Sequence, residues 1–342
     1  MRHAPISRSL PVFGGLLLVV ACGTDPDPAA GIDEHTPLAE IDRRIVEDPG
    51  NALLYAERAR YHERVDSAAT ALNDWRRAIQ LDSTNASLHM GLGDLLFRLL
   101  RVEEAERSLV KASLLDPRAT VPMLRLAELR LIQRRYPEAM DLTNNVLRID
   151  LHNALAYHLK GWVHMEAGDT ALAVSSFRTA IEQDPYMVAP YVQLGALFAV
   201  HHDPMAMEYY SSALEIDPQN VEALYGMGMY AQENGLDSLA MANYARIKEL
   251  APHDPHAWYN TGYILMEHRN DPVAARPQFA RAMLVAPEYT EAYYNLGVTY
   301  ERTGQLDSAL VWYKRSLGVD PAFTAAAQGL SRLQSKGARV VR

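Results

Sequence analysis

One spacing governs most of this 342-residue chain. From residue 48 onward an aspartate or its substitute recurs at Asp48, Asp82, Asp116, Asp150, Asp184, Asp217, Ala251, Ala286 and Asp320, in steps of 34, 34, 34, 34, 33, 34, 35 and 34. Self-similarity at such a period belongs to chains that stack one small unit many times, because no single unit can bury its own apolar face. Proline follows the mark at Pro49, Pro117, Pro185, Pro218, Pro252, Pro287 and Pro321. There it ends one helix and sets the turn into the next.

Between the marks each period divides into two amphipathic helical segments joined by a short turn. In the last one, TEAYYNLGVTYERTG and QLDSALVWYKRSLGVDP, residues Tyr293, Leu296, Gly297 and Tyr300 fall on one helical face, and Ala309, Tyr313 and Ser316 on the facing one. The same slots hold His89, Leu92, Gly93, Leu96, Ala105, Leu109 and Ala112 in the second period, and Trp258, Gly262, Leu265, Ala275, Phe279 and Ala282 in the seventh. This pattern resembles the tetratricopeptide repeat, with its W-x2-L-G-x2-Y motif followed by Ala, Phe, Ala and Pro. The resemblance implies an all-α, right-handed superhelical solenoid of about eight helix-turn-helix repeats over 52–322. An N-terminal capping helix is expected within 36–50, and a C-terminal capping helix and tail within 323–342.

Some repeats depart from the pattern. The first has Arg58-Ala59 in place of Leu-Gly, the third has Thr143 in place of an aromatic, and the fifth is one residue short near HHDP. The seventh is one residue longer and carries Pro277 inside its second helix, where the missing amide donor should bend or delay that helix.

The chain has one cysteine, Cys22, which excludes an intramolecular disulfide and a cysteine-based zinc site. Arg2 and Arg8 precede an apolar run from Leu10 to Ala21, too short to span a bilayer but laid out as a secretory leader. Val19-Val20-Ala21-Cys22 resembles the lipobox of bacterial lipoproteins, which implies a leader over 1–21 and a lipidated Cys22. Several acyl chains would make the anchor permanent, since each buried methylene contributes about 0.8 kcal/mol. Residues 22–35 then form the lipidated cysteine and an acidic, Pro- and Gly-rich spacer. Gly23 stands where Asp favours inner-membrane retention in such families. The resemblance therefore implies the periplasmic side of the bacterial outer membrane, with the inner membrane and the cell surface as alternatives.

A formal net charge of -9 argues against nucleic acid as a partner, because phosphate neutralisation needs a basic stripe. The repeat family lines its concave groove with the first helix of each repeat. Carried onto this chain, that geometry puts Glu222, Tyr225, Met229, Glu233, His256, Tyr259, Tyr263, Met266, Glu267, Glu291, Tyr294 and Glu301 in the groove, together with His158, Trp162 and Met165 of the fourth repeat. Beside a convex or edge site for the partner, two readings of these aromatics stay open. They line a groove for a protein or peptide, with carboxylates suited to Lys or Arg, or they pack against the neighbouring repeat. The clamp by which family members bind acidic chaperone tails needs lysine at position 5, which here reads Ala56, Met90, Leu124, His158, Val192, Tyr225, Tyr259 and Tyr294.

Chemistry finds little support. The chain has no G-x-S-x-G, no phosphate-cradling glycine loop and no H-E-x-x-H, and no cofactor or metal is implied. His201-His202-Asp203 reads as a solvated turn rather than a metal cluster. The expectation is a non-catalytic interaction scaffold tethered to a bacterial envelope membrane. The alternative is a substrate-recruiting arm associated with an enzyme such as a glycosyltransferase or cell-wall hydrolase, for which about 20 residues beyond the repeats leave no room for a catalytic domain.

Overall fold

The structure, a computed structural model, describes residues 37–335. The leader, Cys22 and the spacer lie outside them, as does the end of the C-terminal tail. All regular structure among the described residues is helical. The chain falls into two compact units, one running to Pro190 and the other starting at Tyr191.

The first unit opens with α1 (Leu38–Glu47). Four antiparallel pairs follow: α2 (Ala52–Arg64) with α3 (Ala68–Leu81), α4 (Ala86–Arg98) with α5 (Val102–Leu115), α6 (Thr120–Ile132) with α7 (Tyr136–Ile149), and α8 (Ala154–Glu166) with α9 (Thr170–Gln183). The unit boundary falls within α10 (Val188–Ala199). In the second unit come α11 (Met205–Ile216), α12 (Val221–Glu233) with α13 (Asp237–Leu250), and α14 (Pro255–Tyr263), which runs on as a π-helical turn (Ile264–His268). Then follow α15 (Pro272–Val285), α16 (Thr290–Arg302) with α17 (Leu306–Val319), and α18 (Thr324–Ser335). Within each unit the partners of a pair pack most extensively, and each second helix then packs on the next first helix.

The recurring aspartate has a local cause. At Asp82, Asp116, Asp150, Asp184, Asp217 and Asp320 the backbone N–H closes the last helical turn onto the carbonyl four residues back. The side-chain Oδ1 accepts from the N–H two residues on, at 2.9 to 3.0 Å. One short side chain thus ends a helix and shapes the turn after it. Three residues past the mark, Asn51, Asn85, Asn153 and Asn220 accept from backbone N–H groups of the following helix and cap its start.

The core repeats as faithfully. Ala71, Ala105, Ala139, Ala173, Ala206, Ala240, Ala275 and Ala309, one on each second helix, are all fully buried. A ring on the second helix fills the space over a glycine on the first. A Cβ built on Gly161 would lie 2.4 Å from Phe177, on Gly195 2.7 Å from Tyr210, and on Gly297 2.7 Å from Tyr313. Polar tips of these rings find partners: Tyr244 donates to Gln232 at 3.1 Å, Tyr313 to Glu301 at 2.7 Å and Trp75 to Glu63 at 2.6 Å.

The departures from the pattern also have structural accounts. Arg58 donates to Asp42 of α1 at 2.8 Å and to Asp74 of α3 at 2.7 Å, so it ties three helices together. Thr143 is fully buried and turns its hydroxyl back to the Met140 carbonyl at 2.9 Å. In the first-helix slot of that repeat Ala127 replaces glycine, so a smaller facing side chain is what the space allows. Pro277 does not delay its helix: α15 begins at Pro272 and runs through it for 14 residues. Pro277 sits near the N-terminal end, where it deprives only the exposed Val273 of an amide partner. The extra residue of the seventh repeat is absorbed one helix earlier, in the π turn, where Arg269 N–H reaches Ile264 O at 3.0 Å.

Candidate functional site

The first helices of the two units meet their neighbours through different chemistry. In the first unit ion pairs prevail: Arg44 with Glu57, Arg58 with Asp74, Arg98 with Glu63, Arg125 with Asp94 and Glu128, and Arg130 with Glu106. In the second unit α12, α14 and α16 lie side by side through amides and rings. Asn260 of α14 donates to Met229 Sδ of α12 at 3.3 Å, and Asn295 of α16 donates to the Tyr259 hydroxyl of α14 at 2.8 Å.

On this face the rings form a continuous series. Tyr225 lies 6.0 Å from His256, His256 lies 5.7 Å from Tyr289, and Tyr289 lies 4.9 Å from Tyr259, all between ring centroids. Beneath them Tyr225 packs on Tyr244 and Tyr259 on Phe279. Tyr294 begins a second group, stacked on Tyr313 at 5.4 Å and edge-on to Phe323 at 5.6 Å. Tyr263 is half-buried against His268, next to the Arg302–Glu267 ion pair. The position-5 tyrosines therefore pack against the neighbouring repeat and also present part of each ring to solvent.

Burial raises the pKa of Tyr225, Tyr259 and Tyr289, so all three stay phenolic at neutral pH. His256 Nδ1 lies 2.8 Å from Asp254 Oδ1, and this hydrogen bond raises the imidazole pKa. For Asp254, burial works upward, but the side-chain and backbone hydrogen bonds from His256 outweigh it and lower the pKa. Crowding by protein atoms raises the pKa of Glu222, against a 3.4 Å hydrogen bond from Gln193 that lowers it. Among the described residues no cation pairs with Glu222, Glu233 or Glu291. The second unit carries nine basic and sixteen acidic residues between Tyr191 and Ser335, a net charge of -7.

Not all of the expected groove residues lie on this face. Met266 is 1% exposed and packs with Phe279 and Leu296. His158 and Trp162 are buried in the first unit, where Trp162 Nε1 donates to His158 Nε2 at 3.1 Å beside Phe177. They cannot meet a ligand without unpacking the helices. Tyr225, Met229, Tyr259, Tyr263, Tyr294, Glu222 and Glu291 all belong to the α12–α14–α16 face. Tyr289 is a member that motif reading missed. It holds the helix-capping slot that reads Asn51, Asn85, Asn153, Asn220 and Asp254 in five repeats but Ala119 and Met187 in two others, so the missing cap alone does not mark it.

The face offers ring edges, amides and carboxylates, and no group of His, Cys, Asp or Glu able to hold a metal occurs among the described residues. Three stretches match the tetratricopeptide repeat family, at residues 56–122, 154–186 and 290–323. The chain is 28% identical over 135 residues to the Hsp70-Hsp90 organizing protein of Triticum aestivum, covering 39% of this chain and 23% of that one. It is 24% identical over 294 residues to Protein O-mannosyl-transferase TMTC3 of Homo sapiens, covering 84% of this chain and 30% of that one. It thus spans less than a third of either curated relative. Among solved structures, the C-terminal part of a TPR repeat-containing protein from Cytophaga hutchinsonii shares the fold, with a TM-score of 0.57, 19% identity, and coverage of 70% of this chain and 98% of that one. With three stretches matching the family and an all-helical fold of paired, ring-over-glycine packing, the chain is a tetratricopeptide repeat protein.

Proposed function

We infer that this protein is a non-catalytic adaptor that captures a protein segment on the α12–α14–α16 face and is held at a bacterial envelope membrane by a lipid on Cys22. Tetratricopeptide repeats are interaction modules, and the observation that supports this assignment most directly is the face itself. There, half-buried rings of Tyr225, Tyr259, Tyr263 and Tyr294 share the first helices with the carboxylates Glu222, Glu233 and Glu291, which pair with no cation among the described residues. Such a surface suits an extended segment bearing Lys or Arg, whose cationic heads gain from both the carboxylates and the rings. An acidic chaperone tail would meet like charge and find no lysine at position 5, so likeness to a chaperone-organizing protein does not extend to its partner.

The tether rests on the lipobox-like run ending at Cys22 and on the absence of any other cysteine in the chain. Labelling cells with a palmitate analogue tests it: the expected result is label on the wild-type protein and none on Cys22→Ala, which leaves the membrane fraction. Label or membrane retention in the variant sinks the tether. For the face, Tyr263→Ala with Glu291→Gln should abolish capture of envelope partners while helicity stays unchanged. Undiminished capture rules the face out.

A further inference from the structure

The ring series on the α12–α14–α16 face contains one group whose charge changes near neutral pH. His256 sits in the first turn of α14, with 55% of its side chain exposed. Asp254, just ahead of the helix, holds its Nδ1 at 2.8 Å. Tyr225 of α12 and Tyr289, ahead of α16, place their rings 6.0 and 5.7 Å away, and Glu291 in the first turn of α16 is the other charged group facing it. Burial keeps the Tyr225 and Tyr289 phenols protonated, and the hydrogen bonds from His256 hold the Asp254 carboxyl low, which leaves the imidazole as the member of this cluster suited to titrate near neutral pH.

We propose that His256 makes capture of a cationic segment by this face depend on pH, releasing the segment when the imidazole is protonated. The inference rests on the reading above that the face receives a Lys- or Arg-bearing segment. With a neutral imidazole, the charges of Asp254 and Glu291 are uncompensated, and a Lys or Arg head can settle beside the Tyr225 and Tyr289 rings. The imidazolium supplies that positive charge internally and repels the incoming one. Affinity therefore rises with pH through the titration of His256. By reciprocity, a bound cation makes His256 easier to deprotonate.

The test uses the full chain and a rhodamine-labelled, alternating lysine–tyrosine octapeptide, followed by fluorescence anisotropy at about pH 6 and pH 8, where lysine charge is constant. The expected result is binding about three- to tenfold tighter at the higher pH, from one added charge at roughly 6 Å. In His256→Gln the two affinities should agree within about twofold, because the titrating imidazole is gone. If the wild type binds equally at both values, or His256→Gln keeps the wild-type dependence, the inference falls and the basic-segment reading stands. If the octapeptide fails to bind at either pH, or binds Tyr263→Ala with Glu291→Gln as well as wild type, both fall.

Discussion

At the scale of single residues, burial decides which groups are available for function. His158 is fully buried, its Nδ1 has no hydrogen-bond partner, and desolvation lowers its pKa from 6.5 to about 3. Between those two values the unfolded chain takes up a proton that the folded chain refuses, so stability falls as pH drops from 6.5 toward 3. His158→Gln keeps an acceptor for Trp162 Nε1 without the titration. Chemical denaturation at about pH 4 should therefore show a smaller loss of stability, relative to pH 7, than in wild type. The glycine under each ring gives a second expectation: Gly161→Ala places a methyl against Phe177 and should lower stability by about 1–3 kcal/mol, measured by urea unfolding. Such positions were legible in the sequence because glycine and ring recur in register, as Gly161 with Phe177 and Gly297 with Tyr313. The fate of His158, Trp162 and Met266 was not. Family position places a residue on a helix face, but whether the side chain turns outward or into the neighbouring repeat depends on contacts far apart in sequence, such as Met266 with Leu296.

At the scale of elements, caps and turns explain most of the regularity. Aspartate at the mark ends the second helix, and asparagine three residues later starts the next first helix; the spacing showed the recurrence of the first, and the structure shows the capping role of the second. Irregular repeats were readable only as lengths. The 35-residue step announces an extra residue but does not say that a π turn at Ile264–His268 holds it, because Pro277 looked like the more disruptive element. The turn inside each pair calls for a left-handed residue, supplied by Gly168, Gly235 and Gly304 in three repeats and by Leu100 in the second, at φ 57°. Leu100 is 64% exposed and so has little packing to lose. Leu100→Gly should relieve the Cβ clash of that conformation and raise stability by about 0.5–1 kcal/mol, seen as a higher thermal midpoint.

For the whole molecule, charge and chemistry set the two units apart. Between Tyr191 and Ser335 the net charge is -7, against -3 between Pro37 and Pro190, and the second unit presents rings and carboxylates on its first helices where the first unit presents arginines held in ion pairs. No helix of the described residues is long and apolar enough to cross a membrane. The central claim is that the α12–α14–α16 face receives the partner. A photoreactive phenylalanine at Tyr263, compared in cells with the same group at the exposed Leu284 of α15, tests it most directly. Crosslinks to a partner segment from position 263, with none from 284, are the expected result. Crosslinks from 284 with none from 263 would contradict it.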